Sequence, residues 1–159
     1  MKYQEILNQG SKILKLNNIK SYNLDSEILL SKIIKKDRSQ LLLNLDNKID
    51  EIQKKAFFKY INRRKKNEPI AYITGFKEFW KNSFRVNKDV LIPRPETETL
   101  VEQVLNEIDI MSKKTILDVG TGSGCIIISL LKELNNAKGV AIDISNKAIM
   151  LAKNNSINN

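Results

Sequence analysis

The feature that most constrains this chain is a run of alternate glycines, Gly120-Thr121-Gly122-Ser123-Gly124, set between two apolar segments. Thr115-Ile116-Leu117-Asp118-Val119 before it is short and rich in β-branched residues, the pattern of a strand. Cys125 to Leu134 after it is apolar on most sides, the pattern of a buried helix. Lys138-Gly139-Val140-Ala141-Ile142 then reads as a second strand ending at Asp143, and Ser145 caps a helix through Ala148, Ile149, Leu151 and Ala152. Strand, turn, helix and strand over about 30 residues is a βαβ unit, which implies a parallel sheet covered by helices. The closing Asn154-Asn155-Ser156-Ile157-Asn158-Asn159 reads as a polar tail with little to pack.

The turn also carries chemistry. Alternate glycines let the backbone take positive φ and let a ligand approach the main chain, and the following helix offers free amides and a positive dipole end. Asp143 follows Gly120 by 23 residues, close to the spacing at which a strand-end acid accepts from ribose hydroxyls. The spacing is G-x-G-x-G, not the dinucleotide G-x-G-x-x-G, and Asp118 stands two residues before the first glycine. A carboxylate there disfavours a pyrophosphate and suits a cationic amino group. S-adenosylmethionine has both an α-amino group and a ribose, and it is the expected cofactor. With no G-K-[ST], a P-loop is excluded. The alternative is a purely structural strand-to-helix turn.

The first 66 residues read as short helices. Tyr3, Ile6, Leu7, Ile13, Leu14 and Leu16 fall at helical spacing, weakened in the middle by Gly10. Leu24, Ile28, Leu29, Ile33 and Ile34 mark a second helix, which Asp25 is placed to cap. Asp37-Arg38-Ser39-Gln40 begins a third, and Asp50 caps a fourth running to about Lys66. Asn67-Glu68-Pro69 ends the helical pattern. Ala71 to Phe76 and Phe79 to Val86 are aromatic and β-branched, predicting a β-hairpin with its turn at Lys81-Asn82-Ser83; Trp80 belongs to its core. Pro93 and Pro95 stiffen the loop over 87–95, and Thr97 to Ile110 predicts a helix. The expected divisions are 1–68, a helical domain; 69–92, a hairpin linker; and 93–159, the start of an α/β domain.

Charge is unevenly spread. Residues 1–80 hold 17 Lys+Arg against 9 Asp+Glu, and residues 81–159 hold 10 against 9. The densest stretch, Lys54 to Lys66, carries Phe57 and Phe58, so it could face RNA or the ribosome, or be a solvated helix face with its aromatics turned inward. Histidine is absent, which removes imidazole acid–base chemistry and most zinc sites, so no metal is expected. The one cysteine, Cys125, reads as a small buried residue rather than a nucleophile. No apolar run approaches membrane-spanning length and no secretory signal stands at Met1, so the expectation is a cytoplasmic protein with no membrane partner.

Two motifs resemble the release-factor glutamine methyltransferases. The more specific is Glu68-Pro69-Ile70-Ala71-Tyr72-Ile73-Thr74-Gly75, followed by Glu78-Phe79-Trp80 and Val90-Leu91-Ile92-Pro93-Arg94-Pro95-Glu96-Thr97-Glu98; the other is Ile116 to Gly124. The resemblance covers the whole chain. It implies an α/β fold with a small helical bundle for substrate recognition over 1–68, a β-hairpin linker over 69–92, and over 93–159 a truncated Rossmann-like methyltransferase domain, of which only the first βαβ part is present. It implies methyl transfer from S-adenosylmethionine to the side-chain amide of the glutamine in the Gly-Gly-Gln loop of peptide-chain release factors. By position, Gly120, Thr121, Gly122, Ser123 and Gly124 would line the methionine side of the cofactor and Asp143 would hold the ribose. Arg94, Pro95 and Glu98 would belong to a loop beside the active site, unless Arg94 only pairs with Glu96 or Glu98. The family orients its target amide with Asn-Pro-Pro-Tyr, a matter of positioning. No Asn-Pro occurs here, so no catalytic residue is assigned. The expectation is an N-terminal portion of such an enzyme, inactive alone. The alternatives are a non-catalytic remnant or basic binding module, and part of a nucleic-acid adenine methyltransferase, which the Ile92-Pro93-Arg94-Pro95 loop disfavours.

Overall fold

The computed structural model describes residues 1–109, 111 and 113–159. The fold is α/β, and it divides into two compact units, Met1–Thr74 and Gly75–Asn159.

The first unit is helical. Helix α1 spans Tyr3–Leu16, α2 Tyr22–Ile34, α3 Arg38–Leu42, α4 Glu51–Arg64 and α5 Ile70–Thr74. Asp37 and Asp50 begin α3 and α4 as expected, each accepting a first-turn amide, from Gln40 and Gln53 respectively, at 2.7 Å. Gly10 does not interrupt α1. A side chain there would meet the Phe57 ring at 2.6 Å, so glycine is what lets that ring lie on the α1 backbone. Phe57, Ile6, Leu14, Leu29, Leu30, Leu41 and Ile61 form the centre of the core, all fully buried. Each such side chain contributes roughly 1.5–3 kcal/mol by leaving water.

Two expectations fail in this unit. Asp25 does not cap α2; it lies within the helix, buried, and pairs with Arg64 at 2.7 Å while accepting the Ser21 hydroxyl at 2.9 Å. The segment Ala71–Phe76 is not strand throughout, because Ile70–Thr74 is helical. The cause lies in two arginines of α4. Arg63 pairs with both Glu68 oxygens at 2.6 and 2.8 Å and donates to the Tyr72 carbonyl, and Arg64 donates to the Glu68 carbonyl. The Tyr72 carbonyl at the end of α5 and the Glu68 carbonyl just before it are thus satisfied by fixed guanidinium donors.

In the second unit, β1 (Phe76–Phe79) pairs antiparallel with β2 (Asn82–Arg85), Phe79 opposite Asn82. The turn is Trp80-Lys81, one residue earlier than expected, with Trp80 at φ +54°. After a single 3-10 turn, Pro95–Thr97, helix α6 runs Glu98–Glu107. The expected end of that helix at Ile110 lies outside the described residues. Strand β3 (Thr115–Val119), helix α7 (Cys125–Glu133) and strand β4 (Lys138–Ile142) form the βαβ unit, with β3 and β4 parallel and Thr115 opposite Lys138. Helix α7 buries Ile127, Ile128 and Leu130 in a core shared with Phe79, Phe84 and Val101. The face bearing Leu117, Val119, Val140 and Ile142 is exposed.

Helix α8, capped by Ser145 as expected, runs Asn146–Asn158 and so includes residues 154–158, where a polar tail was expected. Asn155 is fully buried, and its amide satisfies three backbone groups, which makes the end of the chain part of the packed structure. No helix among the described residues is long and apolar enough to cross a membrane.

Candidate functional site

The glycine turn lies where β3 and β4 end side by side, the place at which parallel α/β sheets bind ligands. Gly120, Gly122 and Gly124 have φ of +80°, +56° and +80°, so each alternate residue is left-handed and the chain reverses tightly into α7. The glycines serve different ends. A Cβ built on Gly120 or Gly122 meets nothing within 4 Å, so the backbone there faces open space. A Cβ on Gly124 would lie 2.9 Å from Ile128 and 3.1 Å from Ala152, so this glycine is required by packing of α7 on α8.

Four of the five amides of the turn are committed within the protein. Gly120 and Thr121 donate to the Ile142 carbonyl at 2.8 and 3.0 Å, and Gly124 donates to Thr121 at 2.8 Å. Gly122 donates to Asp143 Oδ2 at 2.9 Å. A phosphate cradle needs several convergent free amides; this turn does not offer them, in line with the exclusion of a P-loop and of a pyrophosphate from the spacing.

Two carboxylates flank the turn. Asp118 accepts the Thr121 hydroxyl at 2.7 Å, which fixes its orientation. Asp143 accepts from Gly122 and, through Oδ1, from the Ser145 amide at 2.9 Å. The amides of Ser145 and then Gly122 hold its carboxyl below the usual carboxylate range. A carboxylate offers about four lone-pair sites, so Asp143 keeps acceptor capacity for a ligand hydroxyl. Beside it lies an open concavity of about 390 Å³ lined by Val119, Gly120, Ile142, Asp143 and Ile144. Apolar walls with one ionised acceptor fit a nucleoside. Ile144, fully exposed, escaped the sequence reading; its one signal was an apolar residue directly after the strand-end acid.

Thr121 and Ser123 are buried, so their side chains shape the turn from within. Ser123 offers its carbonyl to Asn155 Nδ2 at 2.8 Å, and the same Asn155 accepts the Arg85 amide and donates to the Arg85 carbonyl, at 2.8 and 3.0 Å. One asparagine of α8 thereby ties the turn to strand β2. Burial pushes the Cys125 thiol up, which keeps it protonated and unreactive.

The proline loop is arranged differently. Arg94 is exposed and makes no ion pair among the described residues, so it pairs with neither Glu96 nor Glu98. Pro95 opens the 3-10 turn. Glu98 accepts the backbone amide of Trp80 at 2.7 Å, holding the hairpin turn. Trp80 itself donates through Nε1 to Glu133 at 2.8 Å, so its indole is anchored between hairpin and α7.

A parallel βαβ unit with an acid-flanked G-x-G-x-G turn defines a Rossmann-like methyltransferase domain, and residues 110–159 match the family described as methyltransferase domain. Residues 5–75 match the PrmC N-terminal domain. The chain is 45% identical over 155 residues to the release factor glutamine methyltransferase of Clostridium acetobutylicum, covering 98% of this chain and 54% of the relative. It is 41% identical to the protein of that name from Leptospira interrogans, over 96% of this chain and 54% of the relative. A bifunctional methyltransferase of Rickettsia felis is 41% identical over 97% of this chain and 34% of its own length. Over nearly its whole length the chain is thus similar to release factor glutamine methyltransferases, with a PrmC N-terminal domain match followed by a methyltransferase domain match. It spans about half the length of the single-function relatives and about a third of the bifunctional ones.

Proposed function

We propose that the whole protein transfers a methyl group from S-adenosylmethionine to the side-chain amide nitrogen of the glutamine in the Gly-Gly-Gln loop of a peptide-chain release factor, in the cytoplasm. The observation that carries the cofactor is the open glycine turn held between Asp118 and Asp143. The substrate rests on the names of the relatives, two of which act, by name, on release factor glutamine.

The cofactor supplies an electrophilic methyl on a sulfonium. The chain's own groups bind and orient it. Asp118, steadied by Thr121, offers a carboxylate to a cationic amino group. Gly120 and Gly122 leave room for the ligand against the backbone. Asp143 stays ionised and accepts ribose hydroxyls, and Val119, Ile142 and Ile144 give the base an apolar bed. Arg94, exposed and uncommitted, is available to the protein substrate; Pro95 and Glu98 fix the loop that carries it.

The test is transfer of radiolabelled methyl to a purified release factor, run with these 159 residues and with the longest product of the gene. The longer product should label the factor and fail on a Gly-Gly-Ala variant. The 159 residues alone should give no turnover. Label persisting on the Gly-Gly-Ala variant overturns the glutamine assignment, and robust methylation by residues 1–159 overturns the need for Asn-Pro-Pro-Tyr.

A further inference from the structure

The basic excess of the first unit is gathered on one helix. Lys55, Lys59 and Asn62 stand at i, i+4 and i+7 of α4, and Lys66 continues the same line just past the helix end, all four exposed. At 1.5 Å rise per residue, successive members lie about 4.5–6 Å apart along one face, with Lys59 and Lys66 about 10 Å apart across Asn62. They edge an open groove of about 620 Å³ in which the half-buried Phe58 also takes part. Its one acid, Glu68, is held bidentate by Arg63, and Lys54 is paired with Glu51, so neither acid neutralises the exposed line. Lys55, Lys59 and Lys66 have no carboxylate partner among the described residues.

A helix end attracts cations to its last turn, which accounts for basic residues at positions 63–66. It does not account for Lys55 and Lys59, one and two turns into the helix. Three like charges held in file on one face repel one another and are retained at some cost unless a polyanion meets them. We propose that this groove binds the backbone of a single-stranded nucleic acid, with Lys55 and Lys59 on successive phosphates, Lys66 on a further one beyond Asn62, and Phe58 offering its ring to a base. A file of charge that no acid interrupts favours a uniformly charged strand, and the aromatic in the groove favours bases over acidic side chains. This site is separate from the methyl-transfer reading and does not depend on it.

The test is fluorescence anisotropy of a labelled 20-nucleotide single strand, as RNA and as DNA, titrated with the 159-residue protein at several salt concentrations. Changing Lys55, Lys59 and Lys66 together to Gln should weaken binding at least about tenfold and reduce the slope of log affinity against log salt by about 2, three phosphates at roughly 0.7 each. Glutamine is a good helix former and the three side chains are exposed, so far-ultraviolet dichroism should not change. Changing exposed Lys12, Lys20 and Lys36, none of which lines the groove, to Gln removes the same charge and should matter much less. Equal losses from both triple variants would overturn the proposal, since only net charge would then count. Competition by poly-L-glutamate as effective per charge as the nucleic acid would overturn it in favour of an acidic protein partner. Tighter binding of the RNA or of the DNA strand would each support it and identify the source.

Discussion

Single residues of the glycine turn divide their duties, and substitution separates them. Gly122→Ala places a methyl in open space and should cost about 1–2 kcal/mol, the strain of a left-handed L-residue. Gly124→Ala adds overlap with Ile128 and Ala152 to the same strain and should cost about 3 kcal/mol or more. Urea unfolding should rank the two variants in that order; equal losses would mean that Gly124 is not packed as described. Asp143 gives a pH dependence. Its carboxyl is held below the value of an unfolded aspartate by the Ser145 and Gly122 amides. That contribution is therefore complete above about pH 4 and is lost as pH falls through the lower folded value. Asp143→Asn should flatten the stability profile of the second unit between about pH 5 and pH 3, measured by urea unfolding.

Elements owe their placement to partners far along the chain. Helix α8 is anchored by Asn155, which satisfies Arg85 from 70 residues away and Ser123 from 32. Asn155→Leu keeps the branching of the side chain but orphans three backbone groups, of which the Ser123 carbonyl is buried and the Arg85 amide and carbonyl are partly buried, at about 1 kcal/mol each. The expected loss is about 3 kcal/mol, with hydrogen exchange at the Arg85 amide accelerated ahead of the rest of β2. Unchanged protection there would show that water replaces the asparagine. The hairpin and α6 are linked in the same way by Glu98, one of the three residues whose motif pointed to the active-site loop. Its carboxylate is committed to the Trp80 amide 18 residues back. The strand segment expected at Ala71–Phe76 turned on a nearer group: local propensity favours a strand there, but Arg63 of the preceding helix donates to its Tyr72 and Ile73 carbonyls and supports a helical turn.

The whole molecule carries two cores. The buried apolar residues of the first lie between Tyr3 and Ile73, and those of the second between Phe79 and Leu130. The lone tryptophan, Trp80, belongs to the second unit, whereas most helix belongs to the first. Urea transitions followed by tryptophan emission and by helical dichroism should therefore not coincide. Arg64→Ala, which leaves the buried Asp25 without its cation, should move the dichroism transition by about 2–3 kcal/mol and leave the emission transition in place. A shift of both together would show that the units unfold as one.

The sequence by itself determined the βαβ unit, its turn and its two carboxylates, because strand period, helix period and glycine placement are local signals within about 30 residues. It determined α1, α3 and α4 as well, since their apolar spacing and the Asp37 and Asp50 caps lie within the helices they define. Tertiary structure alone decided that Asp25 is an ion-pair partner rather than a cap, that residues 70–74 are helical, that Gly10 seats a ring, and that the asparagine-rich end is a packed helix. The turn at 70–74 depends on Arg63 of the preceding helix, and the other three on groups that the fold brings near from far along the chain. A buried polar atom takes whichever partner removes its desolvation cost, and that partner is fixed only once the chain has folded.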